Sequence, residues 1–204
     1  THTGSFDAPV GTILNLSGGT HNALAGSSIT GAGQFIVNGA TATLAGLVNV
    51  TGNNLFDSGT ANLNGNYICT NNTLTISGGT ANLNGTGTVT PAVVDLSSGN
   101  LGGSQVVTVG NVMNWTGGTM NGSGRTIIPV GVTLAVANAV NVSLITRTLE
   151  NNGNVLWASG NLSLGGGAVF TNCAGALFEA RGAGSLAHGG AANARFDNAG
   201  TFRK

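Results

Sequence analysis

Apolar and polar residues alternate in short runs along this chain, and the runs recur. Residues 74–85 read LTISGGTANLNG, in which two apolar side chains bracket a polar one, a Ser-Gly-Gly turn follows, and a second alternating run ends on Gly. Variants stand at 14–26 (LNLSGGTHNALAG), 35–46 (FIVNGATATLAG), 56–65 (FDSGTANLNG), 94–103 (VDLSSGNLGG), 113–122 (MNWTGGTMNG) and 155–165 (VLWASGNLSLG). The large apolar residue before each turn sets the register: Leu16, Val37, Phe56, Ile76, Leu96, Trp115, Val136, Trp157 and Phe178. Successive steps are 21, 19, 20, 20, 19, 21, 21 and 21 residues. Alternation with a period of two predicts strands, and the 3.6-residue period of a helix is absent over any useful length. A repeat near 20 is shorter than the paired-helix repeats, which run above about 30 residues, and suits one coil of a β-solenoid.

Each coil is expected to hold three short strands separated by Gly, Asn or Ser corners, where glycine supplies the positive φ of a tight turn. In the Ile76 coil these strands are expected at 74–76, 81–83 and 86–90. The expected fold is all-β: a single right-handed parallel β-helix of about nine coils. Residues 1–13 form an irregular start, coils run from about 14 to 204, and the whole is one domain. The Val136 rung lacks the turn signature. Trp115 and Trp157 stand in the anchor phase, so both are expected inside.

Composition sharpens this picture. Glycine supplies 36 of 204 residues and charged side chains only 6%, against usual values of about 7% and about 25%. With 41% hydrophobic residues, the chain can bury an elongated core, which a highly charged disordered chain cannot. No apolar run reaches the ~18 residues of a membrane span. Thr1 shows no initiator Met or signal peptide, which suits a processed product or a piece of a longer protein. Cys69 and Cys173 are about five coils apart, or ~24 Å at ~4.8 Å per coil, too far for a disulfide.

Stacking aligns equivalent positions into columns. Thr20, Thr41, Thr60, Thr80, Asn100 and Thr119 follow their anchors by four residues; Asn22, Thr43, Asn62, Asn82, Gly102 and Asn121 follow by six. A third column is expected through Thr30, Thr51, Thr70, Thr90 and Thr171. Thr suits exposed strand faces, and Asn ladders hold stacked parallel strands together.

The Gly/Asn/Thr-rich coil with GGT-x-N-L-x-G corners resembles the β-helix repeats of filamentous-haemagglutinin-type bacterial surface adhesins and other large secreted β-solenoids. The resemblance covers nearly the whole chain from Leu14 and implies an extracellular structural or adhesive role, as a stalk segment or a fibre-forming subunit on a cell surface. Its expected partners are further copies of itself or cell-surface and matrix components.

Two other readings come from the same columns and fold. The pairs Thr20/Asn22, Thr41/Thr43, Thr60/Asn62, Thr80/Asn82 and Thr119/Asn121 resemble the flat Thr ladder of ice-binding β-solenoids. Some parallel β-helices bind or degrade polysaccharides, but Asp57 and Asp95 lie two coils apart, whereas glycoside hydrolysis needs carboxylates within about 5–9.5 Å. We expect no catalysis. Arg125, Arg147 and Glu150 read as a surface charge cluster. His2, His21 and His188 read as unclustered, so no metal or other cofactor is expected. No basic stripe with interleaved aromatics points to nucleic acid.

Charge is nonetheless asymmetric. Residues 1–124 hold Asp7, Asp57 and Asp95 without Lys or Arg, and all six basic residues fall in 125–204. The ends resemble each other, Phe6-Asp7 at the start and Phe196-Asp197 at the finish, followed by the basic pair Arg203-Lys204. Neither end carries a capping helix. These six residues are therefore candidates for head-to-tail assembly, which zero net charge favours.

Overall fold

The structure, a computed structural model, describes residues 1–137, 141–189 and 193–204. Strands make up three parallel sheets with no helix among the described residues, and each turn of the chain gives one strand to each sheet in a fixed order. The first sheet has ten strands, from Ser5–Asp7 to Arg195–Asn198; the second has ten, from Ile13–Ser17 to Thr201–Arg203; the third has nine, from Thr20–Ala23 to Leu186–His188. The result is a β-solenoid of about ten coils. It exceeds the expected nine because the second sheet continues past Phe178 to Thr201–Arg203. Residues 1–13, expected to be irregular, already pair: Ser5–Asp7 lies against Ser28–Gly31, and His2 bridges Ala23.

In the Ile76 coil the strands are Thr73–Ile76, Thr80–Leu83 and Val89–Thr90, so the third is much shorter than expected. Corners turn on glycines such as Gly99 (φ 69°) and Gly118 (φ 73°), which occupy the left-handed region that a Cβ disfavours. The anchor ladder runs unbroken from Leu16 through Val37, Phe56, Ile76, Leu96, Trp115 and Val136 to Trp157. The Val136 rung is therefore in register. The ninth anchor needs correcting: Trp157 pairs with Ala180, while Phe178 pairs with Val155. That step is 23 residues rather than 21, and Phe178 still points inward because a shift of two preserves the face.

Inward positions form one continuous core. Phe35, Phe56, Ile76, Trp115, Phe170 and Phe178 are all essentially solvent-free, and Trp157 is buried too. Trp157 donates its indole N–H to the Ser159 and Gly160 carbonyls, whereas Trp115 Nε1 has no partner. In the third sheet the inward column carries Ala42, Ala61 and Ala81, then Leu101, Met120, Leu144 and Leu164. Small residues share the coils of Phe35, Phe56 and Tyr67, which keeps the cross-section filled without overpacking.

Candidate functional site

The expected columns of the third sheet are real ladders. Thr20, Thr41, Thr60, Thr80, Asn100 and Thr119 are successive partners, and the column continues to Ser143. Asn22, Thr43, Asn62, Asn82 and Gly102 are likewise in register. Asn121 lies one residue beyond Thr119–Met120, with its amide oxygen above Gly102. Every one of these polar side chains is exposed or half-exposed. Their amides bind each other: Asn82 Nδ2 donates to Asn62 Oδ1 at 2.9 Å, and Asn100 Nδ2 to Thr80 Oγ1 at 3.1 Å. Thr30 does not join Thr51, Thr70 and Thr90; it pairs with Asn49.

The acids and bases fall into place differently from expectation. Asp57 accepts a hydrogen bond from Ser77 Oγ, and Asp95 accepts one from Asn114 Nδ2. Arg125 pairs with Glu150 at 3.0 Å on the surface. Arg147, expected beside them, is completely buried at a corner. It has no carboxylate partner among the described residues and instead donates to five oxygens: Thr126 Oγ1 and the carbonyls of Gly103, Gln105, Asn121 and Arg125. Burial lowers its pKa to about 10, so it remains charged at neutral pH and cross-links three coils. Gly124 makes room, since a Cβ there would stand 2.8 Å from Arg147 Nη1. A lone Arg in a polar-rich stretch carries no sequence signal of burial, apart from glycine at the stacked position one coil earlier.

Two other interior features stand out, of which the first left no mark in the sequence and the second is the burial of a cysteine expected to fill the core. At the corner between the first and second sheets, Asn151 Nδ2 donates to Asn172 Oδ1, and Asn172 Nδ2 to Asn198 Oδ1, giving an inward amide ladder. Cys69 is buried, donates to Asn72 Oδ1, and has its thiol pKa pushed up to about 11 by that burial. His2 and His21, read as unclustered, stack at 5.7 Å with His2 edge-on to Phe6. Among the described residues no three His, Cys, Asp or Glu gather in a way that could hold a metal ion. Among the described residues no helix is long and apolar enough to cross a membrane.

The two end coils expose inward-facing positions. At the carboxyl end Phe202 is 44% exposed and stacks on Phe178 at 5.1 Å, and Leu186 is 38% exposed. At the amino end Phe6 and Leu14 are half-buried against the core. Continuing the registers places Leu14 in the column that ends at Phe202, and Asn15 in that of Arg203. In the first sheet, Asp7 falls in the column that ends at Arg195, and Phe6 in that of Ala194. The apparent match of Phe6-Asp7 with Phe196-Asp197 is thus two residues out of register, and the true one opposes Asp7 to a cation. Lys204 follows the last strand in the Ala180 column.

Comparison with protein-family models, with curated proteins and with solved structures finds no match for this chain.

Proposed function

We propose that this chain is a structural shaft module, a non-enzymatic rod that works outside the cell as a fibre subunit or stalk segment. One observation carries the reading: the two end coils are in phase. The coil order places the third sheet next after Thr201–Arg203, and His2 stands in the third-sheet phase at the other end. A further coil, from the same polypeptide or a second copy, would extend all three ladders, with Leu14 over Phe202 and Asp7 over Arg195. Strand edges are natural templates for more strands. The resemblance to filamentous-haemagglutinin-type repeats supports a cell-surface setting, with other copies or surface and matrix components as partners.

Sedimentation and electron microscopy test this. We expect rods that lengthen with concentration, shortening in Asp7→Arg or Arg195→Asp alone and recovering in the double exchange. Strictly monomeric protein without filaments, at low and high salt, would overturn self-assembly.

The in-register Thr20, Thr41, Thr60 and Thr80 ladder favours ice binding as a second reading. Against it, Asn replaces Thr in the second column at Asn22, Asn62 and Asn82, and the Asn62 and Asn82 amides are bonded to each other. Thermal hysteresis abolished by Thr41→Tyr would decide for ice; its absence in the parent protein would dismiss it.

A further inference from the structure

The first sheet narrows at the corner that enters it from the third. Val89 stands six positions after Leu83, but its partner Val107 stands only four after Gly103, Leu83's own partner. The earlier coil thus carries two residues with no counterpart in the next. Its strand contracts to Val89–Thr90, between Asn66–Thr70 and Val106–Thr108. The surplus opens a groove of about 330 Å³ on the outer surface, lined by Thr86, Gly87, Thr88, Gln105, Val106 and Thr108 among others.

Gln105 distinguishes this groove from a mere step in the surface. Its side chain is only 7% exposed and donates through Nε2 to the Gly87 carbonyl at 2.8 Å. Its Oε1 is buried without a hydrogen-bond partner, an unfavourable state that a native structure seldom keeps without a reason. Gln105 is itself one of the residues that line the groove, so the unsatisfied oxygen belongs to its wall. Around it stand threonine hydroxyls that donate or accept, and Val106, 47% exposed, supplies an apolar strip. No lining residue is charged, and Arg125, the neighbour of Val106 on the next coil, is held by Glu150.

We propose that this groove binds a neutral saccharide unit, with Gln105 and the threonines hydrogen-bonding its hydroxyls and Val106 against a C–H face of the ring. A peptide fits less well. Val89–Thr90 is already paired on both edges, as is Val106–Thr108, so no free strand edge is left for an added strand. The groove's volume lies at the lower end of small-ligand sites, which start near 300 Å³. The proposal does not depend on the shaft reading: filament growth tests one and ligand titration the other.

The test is titration of the isotope-labelled full chain with cellotetraose, maltotetraose and chitotetraose at millimolar concentration, followed by amide NMR. We expect saturable shifts from at least one sugar, confined to residues 85–90, 105–108 and the Gln105 side-chain amide. Thr88→Val and Gln105→Leu should each weaken that binding at least about tenfold while the remaining spectrum stays unchanged. No saturable shift with any of the three, shifts mapping elsewhere, or undiminished binding in Thr88→Val would overturn the proposal. Shifts at the groove from a neutral tetrapeptide, without any from the sugars, would assign it to peptide and overturn it equally.

Discussion

The coils before Gly103 and those after Gly124 are tied together by different chemistry. In the earlier half, most links between neighbouring coils on the outside join neutral side chains, Ser58 to Asn38, Asn82 to Asn62, Asn84 to Asn64 and Thr90 to Thr70, while Ser77 to Asp57 and Asn114 to Asp95 end on a carboxylate without a cation. In the later half, the surface cross-links are ionic, Arg125 to Glu150 and Arg203 to Glu179; both halves bury amides, Asn54 and Asn72 in the earlier and the Asn151–Asn172–Asn198 ladder in the later, but only the later buries a charge, Arg147. The same backbone architecture accepts both. Parallel ladders hold the coils, and the side chains only have to satisfy their own hydrogen bonds. What should differ is the response to perturbation: the neutral ladders should be insensitive to salt, and the interior polar groups should be strongly destabilised when one partner goes.

The largest expected effect is on Arg147. Its replacement by Met removes the donor shared by four carbonyls and a hydroxyl, of which the Gly103 carbonyl keeps the Gly124 amide; with several buried acceptors left unsatisfied we expect a loss of about 3–5 kcal/mol in total. Urea unfolding measures this, and Gly124→Ala should show part of it by displacing the guanidinium. An effect below about 1 kcal/mol, the value of an ordinary surface arginine, would erase the contrast.

The next effect is in the earlier half and depends on pH. Burial raises the Cys69 pKa from its ordinary 9.0 to about 11, so the folded state holds its proton where the unfolded state has released it. The associated stability is complete below pH 9 and is lost as pH rises from about 9 to 11, amounting to about 2–3 kcal/mol. Tyr67, whose pKa burial also raises, adds to the alkaline loss. Melting across this range should be steeper in the parent than in Cys69→Ala; identical profiles would show that the thiol is not buried as described.

Smaller effects separate the two surface chemistries. Asn82→Ala should cost about 0.5–1.5 kcal/mol by removing one outer amide bond, independent of salt. Arg125→Ala should cost less than about 1 kcal/mol at low salt and next to nothing at high salt, because exposed pairs are screened. Chemical denaturation with urea at two ionic strengths distinguishes them, and a salt-sensitive Asn82→Ala would break the comparison.

Much of the fold was legible because a solenoid repeats its signal. Nine anchors and the Thr and Asn columns gave the period, the three strands per coil and the outward faces of the third sheet. The misses have a common cause. Side-chain direction has a period of two, so a two-residue slip keeps every residue on its proper face, and Phe178 could not be told from Ala180 as the anchor. The same ambiguity made Phe6-Asp7 look equivalent to Phe196-Asp197, when register opposes Asp7 to Arg195. The two-residue contraction that opens the Thr88 groove was equally invisible, since the anchor-to-anchor steps absorb it. Arg147 was misplaced for another reason: charge predicts exposure unless a corner offers enough carbonyls, and carbonyls leave no trace in a sequence.

The central claim is that the end coils are in phase, and a covalent tandem tests it most directly. Residues 181–188 carry the chain from the Ala180 column into the third sheet, and Lys204 occupies the Ala180 column one coil later. Two copies joined through this eight-residue corner, Lys204 to Arg181 and His188 to Thr1, should therefore make one uninterrupted solenoid. Ten coils at ~4.8 Å give a rod of ~48 Å, and electron micrographs of the tandem should show a straight rod a little over twice that length. Two rods hinged at the junction, or a particle no longer than the single copy, would contradict the account.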